Sequence, residues 1–337
     1  MDEKIRIARW KALVEDFRRF GGIAENVIQR KGELGLGLFP IDPSQQIELR
    51  VPDHLLVKTD NLKLLDGAVV LKNDRSYPKG FGEWYADFQA HYSWGAEARN
   101  SIKRFEDGLK SLSDPLQKTL QNLGLINIQQ RFCGINEEQN LFQRFIATRQ
   151  INRNGQLFLM QMIELVNHSP MQSSWIMDEG SIAIQGQYDE EILVRYSVDD
   201  PLRRCLQYGF NCKELMGFSL RTQLIHYDQK IIVDGGINFE PMKPCRSSVQ
   251  NESIIFYKPL LSSFKSPRIP RTLFRKACRI HNGINPDELF DQIHFRNRLL
   301  LVGLTRKLQG ENNIIAKQLT SACLDQISIL SEHLGSK

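Results

Sequence analysis

The period of the apolar positions changes several times along this chain. Over residues 3–20 they recur at Ile5, Ala8, Leu13 and Phe17, with Trp10 nearby, and Gly21-Gly22 follows. Steps of three to five residues ending at glycine predict one amphipathic helix. From 23 to 57 the pattern is different. Short β-type runs, Asn26-Val27-Ile28 and Ile47-Glu48-Leu49-Arg50-Val51, are separated by Gly32, Gly35, Gly37 and Asp42-Pro43. From about 84 to 149 helical spacing returns at Ile102, Phe105, Leu109 and Leu112 and at Leu141, Phe142 and Phe145, interrupted by Asp114-Pro115 and Gly134. Residues 159–210 read again as short β runs, notably Ile182-Ala183-Ile184 and Ile192-Leu193-Val194. A hairpin is expected around His226-Tyr227-Asp228, joining 220–225 to 230–233. Beyond Pro267 helical patterning dominates, punctuated by Pro270, Gly283 and Gly310.

This order predicts an α+β fold: small twisted sheets with a helical insertion, followed by a mainly helical C-terminal domain. Long strands alternating with regular helices are missing, which excludes a doubly wound architecture.

Composition narrows the class. With 337 residues, 41% hydrophobic and 25% charged, the chain can bury a substantial core, and wholesale disorder is excluded. No apolar run is long enough to span a bilayer; the longest, such as 299–301, are far too short. The opening Met1-Asp2-Glu3-Lys4-Ile5-Arg6 mixes charge signs, unlike a signal or transit peptide. The six cysteines, at 133, 205, 212, 245, 278 and 323, form no CxxC pair, so neither a zinc cluster nor a disulfide framework is expected. No metal is predicted, and a reduced, intracellular and cytoplasmic setting is the expectation.

A net charge of +5 is too mild to imply nucleic-acid binding by itself. The charge is, however, uneven. Residues 264–306 hold nine Lys or Arg against three acids, and six of the nine fall within 265–279. Such a face suits an acidic protein partner or a phosphate backbone; a solvated face with arginine stems over apolar surface is the plainer alternative. Aromatic interleaving is limited to Phe264 and Phe274, which disfavours single-stranded nucleic acid.

Four short segments look unusual for pure packing. Gly35-Leu36-Gly37-Leu38-Phe39 places two glycines two apart in a β context, suiting either a tight turn or close approach of a ligand to the backbone. Asn167-His168-Ser169-Pro170 ends an apolar stretch with three polar residues that need partners, from a local turn or from a site. Arg149 follows Phe145-Ile146-Ala147-Thr148 and offers a fork for a carboxylate, although a surface arginine is as ordinary. Tyr196 closes the Ile192-Leu193-Val194 run, and Tyr208-Gly209-Phe210 lies twelve residues on; aromatics at such places usually serve the core.

Jointly, in this order and spacing, these segments resemble SET-domain methyltransferases of the Rubisco large-subunit lysine methyltransferase branch. Gly21-Gly22, the GLGLF segment and Arg50-Val51-Pro52-Asp53-His54-Leu55-Leu56 resemble that family's first segment. Ala147-Thr148-Arg149 resembles the end of its helical insertion, and Glu164-Leu165-Val166-Asn167-His168-Ser169 its acidic-x-x-Asn-His-Ser motif. Residues 190–196 and Tyr208-Gly209-Phe210 resemble its terminal strand, tyrosine and YGF motif. The likeness covers about 10–215. It divides the chain into a helix plus first SET segment (1–78), a helical insertion (79–149), a second SET segment (150–215) and a hairpin-and-helix domain (216–337).

The resemblance implies a SET fold and S-adenosylmethionine-dependent methyl transfer to a lysine of a protein substrate, with histidine as a second acceptor. Gly35, Leu36, Gly37, Arg149, Asn167, His168 and Tyr208 would contact the cofactor, Arg149 through its carboxylate and His168 through backbone at the adenine edge. Thr148, Glu164 and Phe210 would line the lysine channel, and Tyr196 would orient the reacting groups. A tyrosine hydroxyl, with an ordinary pKa of about 10, is a poor base at neutral pH. The chain departs from the family pattern in three places: Leu34 replaces an acid, Asp189-Glu190 replaces a Gly-Glu turn, and Ser197-Val198-Asp199-Asp200 follows the tyrosine. The competing expectation is a catalytically silent SET derivative that binds an acidic partner through its basic C-terminal domain.

Overall fold

A computed structural model describes residues 3–132, 136–235 and 246–332. Cys133, Gly134 and Cys245 lie outside the described residues, as do the ends of the chain. The chain forms two compact units, one of residues 1–103 and 134–196, the other of 104–133 and 197–337. It is mixed α and β, with several small sheets and helices concentrated after residue 267.

The first unit opens with the helix Glu3–Arg19. Its buried stripe is Trp10, Leu13, Val14 and Phe17, which keeps the expected Trp10, Leu13 and Phe17 and drops the first two expected positions. Ile5 and Ala8 are exposed, because the first turns extend past the surface that the later turns cover. Phe17 stacks on Trp84, and Trp84 on Phe88, both pairs with ring centroids 5.5 Å apart. Trp84 and Phe88 belong to the helix Phe81–His91, so one aromatic column fastens two helices.

The central sheet has four antiparallel strands in the order Ile23–Glu25, Ile47–Pro52, Ser181–Gly186 and Ile176–Asp178. The strand Ile47–Pro52 alternates buried and half-exposed positions, with Ile47, Leu49 and Val51 inside. Two smaller pairings carry the candidate site: the hairpin Val27–Gly32 with Gly35–Pro40, and the parallel pair Asn167–His168 with Leu193–Val194. The helix Glu137–Arg149, capped by the Asn136 side chain, delivers Thr148 and Arg149 at its last turn.

The second unit contains the expected hairpin, Thr222–His226 with Gln229–Asp234. Tyr227 and Asp228 both have positive φ, the backbone twist that a two-residue hairpin turn requires. Two further strands complete a four-stranded sheet. Three helices follow, Arg268–Cys278, Pro286–Gln309 and Ile314–Ser331, the last two capped by Asn285 and Asn313. Phe274, Leu289, Leu301, Leu304, Ala316, Leu319 and Cys323 form their common core.

One stretch departs from the β reading of 159–210. Pro201–Tyr208 is a helix, started by the Asp200 side chain on the Arg203 backbone N–H at 2.8 Å and by proline in the first turn. Cap and proline outweigh the short apolar spacing that precedes them. In the basic region, Arg271 pairs with Asp287 and Asp291, and Arg275 with Asp287. Two of the six cations in 265–279 are thus committed within the unit. Cys205, Cys212, Cys278 and Cys323 are free thiols, and no described helix is long and apolar enough to cross a membrane.

Candidate functional site

The two glycines of the GLGLF segment do different work. Gly35 has φ +99 and closes the Glu33-Leu34 turn opposite Gly32. Gly37 lies within the strand, and a Cβ there would stand 2.0 Å from Glu191 Oε1 and 2.7 Å from Asn167 Nδ2. Only glycine lets those two side chains rest on this backbone. The turn reading of the GxG holds at Gly35, and at Gly37 it is protein side chains that approach the backbone closely.

Asn167 bridges the hairpin to the strand that follows it in space. Its Nδ2 donates to the Leu36 carbonyl at 3.1 Å and to Glu191 Oε1 at 2.6 Å. The Ile192 N–H donates to the Leu38 carbonyl at 2.8 Å, fixing the same junction through backbone. Burial raises the Glu191 carboxyl above its ordinary range, and the Asn167 hydrogen bond opposes that shift.

Tyr196 is held by the segment that carries Asn167. The Tyr196 N–H donates to His168 Nδ1 at 3.1 Å, and its hydroxyl donates to the Val166 carbonyl at 2.6 Å. The two rings lie 5.0 Å apart, with Trp175 6.4 Å away on Tyr196. His168 is buried, and the nitrogen that accepts from Tyr196 is spoken for, so its ring positions the tyrosine. The parallel pairing of His168 with Val194, continued by the Ser169 N–H on the Val194 carbonyl, sets this register.

A second cluster surrounds Glu164. One carboxylate oxygen accepts from Gln89 Nε2 at 2.9 Å and Ser93 Oγ at 2.5 Å; Oε2 is buried and makes no hydrogen bond. Burial raises its pKa, while Ser93, the Arg149 charge and Gln89 pull it down. Arg149 lies over the Phe145 ring at 4.4 Å and donates to Thr148 Oγ1 at 2.9 Å, and Thr148 in turn donates to the Phe145 carbonyl.

Gly35, Leu36, Gly37, Thr148, Arg149, Glu164, Asn167, His168 and Tyr196 all belong to the first unit, where they form two clusters. One joins Leu36 and Gly37 with Asn167, His168 and Tyr196, the other Thr148 and Arg149 with Glu164. Tyr208 and Phe210 belong to the second. Tyr208 ends the helix Pro201–Tyr208 beneath the Arg204 guanidinium, 4.9 Å from its ring, and burial raises its hydroxyl. Gly209, at φ +77, turns the chain so that the Phe210 ring sits 5.9 Å from Tyr208.

Sequence reasoning missed Glu191, Gln89 and Ser93. For Glu191 a signal existed: period two places it on the strand side opposite the buried Ile192. Gln89 and Ser93 lie seventy or more residues from Glu164, and nothing local points to that pairing.

Compared with protein-family models and with curated protein sequences, the chain finds no match. Among solved structures it is similar to the SET domain of LSMT bound to lysine and AdoHcy, with 12% identity and a TM-score of 0.38, covering 97% of this chain and 90% of that one. It is also similar to Rubisco LSMT bound to AdoMet, with 14% identity and a TM-score of 0.46, covering 96% and 90%.

Proposed function

We propose that this chain is a SET-type methyltransferase that transfers a methyl group from S-adenosylmethionine to a lysine side chain of a protein substrate. The observation that carries the reading is the junction at 166–168. There Asn167 grips the Leu36 carbonyl while the neighbouring Val166 carbonyl and His168 ring fix Tyr196 at both ends.

The residues present fit the cofactor. The Leu36 carbonyl and the Asn167 side chain would supply acceptors for an amino-acid end, and Gly37 leaves the room that lets Asn167 rest there. Arg149, at the end of its helix, would offer a fork to the carboxylate, and the His168 backbone would meet the adenine edge. When bound, the cofactor supplies an electrophilic methyl group on a sulfonium.

The protein's remaining task is positioning. In-line displacement needs the amine and the methyl held near contact distance with water excluded. Tyr196 suits this as an orienting hydroxyl: its proton already points to the Val166 carbonyl, so it presents an oxygen of fixed direction. Only a neutral lysine amine can attack, and a desolvated channel lowers the amine pKa toward that form. The Glu164 carboxyl, with one buried oxygen open, attracts the incoming ammonium, and Thr148 stands beside Arg149 at the same end of the helix.

The test is Tyr196→Phe, assayed by transfer of labelled methyl from S-adenosylmethionine into protein extract and by calorimetric binding of S-adenosylhomocysteine. Transfer should fall by about 10²–10³, the usual cost of losing one positioned hydroxyl at a reacting centre, with binding unchanged. Undiminished transfer would overturn the assignment of Tyr196.

A further inference from the structure

Glu191 is a carboxylate without a counter-charge. Its one hydrogen-bond partner is the neutral Asn167 amide, and among the described residues no Lys, Arg or His pairs with it. Four other buried carboxylates are ion-paired: Glu106, Asp200 and Glu214 each hold an arginine, and Asp199 holds Lys258. Glu164 shares the unpaired state of Glu191 but takes two neutral donors, from Gln89 and Ser93, on one oxygen. A half-buried anion with most of its acceptor positions open costs free energy unless a cation arrives.

Its location is specific. Oε1 lies against the bare Cα of Gly37, and Oε2 faces Gly32, 3.1 Å from where a Cβ would stand. Asn167 commits both of its described bonds through Nδ2, to Leu36 and to Glu191, which leaves Oδ1 as an acceptor. The Glu191 carboxylate, Asn167 Oδ1 and the second lone pair of the Leu36 carbonyl are three acceptors around one glycine. A primary ammonium brings three donors and one positive charge.

We infer that Glu191 is the anionic seat for the α-ammonium of the ligand's amino-acid end, a role that neither the GLGLF nor the NHS segment assigns to it. The inference rests on the cofactor reading above. Glu191 fixes affinity for the amino-acid end, and its charge discriminates against adenosine derivatives that lack that end. Gly37 is required because any side chain there would displace the carboxylate.

Titration calorimetry of Glu191→Gln with two ligands tests this. S-adenosylhomocysteine carries the amino-acid end, and 5′-methylthioadenosine does not. Glutamine keeps an acceptor for Asn167 and removes the charge, and the melting temperature controls for folding. Loss of one charge-assisted contact predicts that S-adenosylhomocysteine binds about 10- to 100-fold more weakly, with 5′-methylthioadenosine within about twofold of wild type. Equal binding of S-adenosylhomocysteine to variant and wild type would overturn the inference. So would parallel loss of both ligands, which would make Glu191 a shaper of the pocket. Wild-type protein that binds neither ligand would contradict the cofactor reading itself.

Discussion

Gly37 and Glu164 show how single positions carry the account. At Gly37 a Cβ would stand 2.0 Å from Glu191 Oε1, so the position is reserved for glycine by packed protein side chains. Gly37→Ala should cost about 1–3 kcal/mol of stability, as an overpacked site does, with S-adenosylhomocysteine affinity falling at least tenfold. Urea denaturation and calorimetry read the two effects. Glu164 makes a prediction in pH. Its folded pKa is raised by burial, so its favourable contribution is complete below the ordinary glutamate value of about 4.3 and is lost as pH rises through the folded value. Glu164→Gln removes that loss and keeps the acceptor for Gln89 and Ser93. The variant should melt above wild type at pH 7, and the two should converge below about pH 4. A difference in melting temperature that does not change with pH across that range would contradict the assignment of burial as the cause.

At the scale of elements, the departure after Tyr196 has a physical explanation. In Ser197-Val198-Asp199-Asp200, Asp200 caps the helix Pro201–Tyr208 and pairs with Arg203, while Asp199 holds Lys258 at 3.3 Å. Asp200→Ala removes the cap and leaves a buried guanidinium short of its partner, a loss of about 3–5 kcal/mol. Chemical denaturation measures it; a loss below about 1 kcal/mol would mean that the helix start does not depend on Asp200. The same helix shows where sequence reading stopped. Apolar period alone made 159–210 a β region, whereas the Asp-Pro start at 200–201 is a capping signal of the kind that opens helices. The hairpin at 222–234 was legible because two β-type runs flank the short segment 226–228. The stripe of the first helix was only half legible: which turns of an amphipathic helix are covered depends on where its neighbour Phe81–His91 ends. Phe17→Ala, at the base of that aromatic column, should cost about 3–5 kcal/mol by denaturation.

For the whole molecule, the α+β class and the helical character beyond 267 follow from patterning, since periods of two and 3.6 cannot be exchanged without moving apolar groups to the wrong face. The division of the chain into two units, each assembled from separated segments, is not a local property and has no signature in composition. The candidate site divides in the same way. Asn167, His168 and Tyr196 were legible through the resemblance of their segments to a family pattern, because the need of a polar run for partners is met equally by a local turn. Gln89 and Ser93 were missed because their partner Glu164 lies in a distant segment, whereas Glu191 had a period-two signal that alone says nothing of its partner.

The central claim is that the junction of Leu36, Asn167 and Tyr196 holds a methyl-donor cofactor. Titration calorimetry of wild type and Asn167→Ala with S-adenosylhomocysteine tests it most directly. The account predicts wild-type binding with Kd on the order of micromolar and at least tenfold weaker binding by Asn167→Ala, measured at a temperature where the variant, short of two hydrogen bonds, is still fully folded. Wild-type protein that gives no binding heat across a range of temperatures, or an Asn167→Ala variant that binds as tightly as wild type, would contradict it.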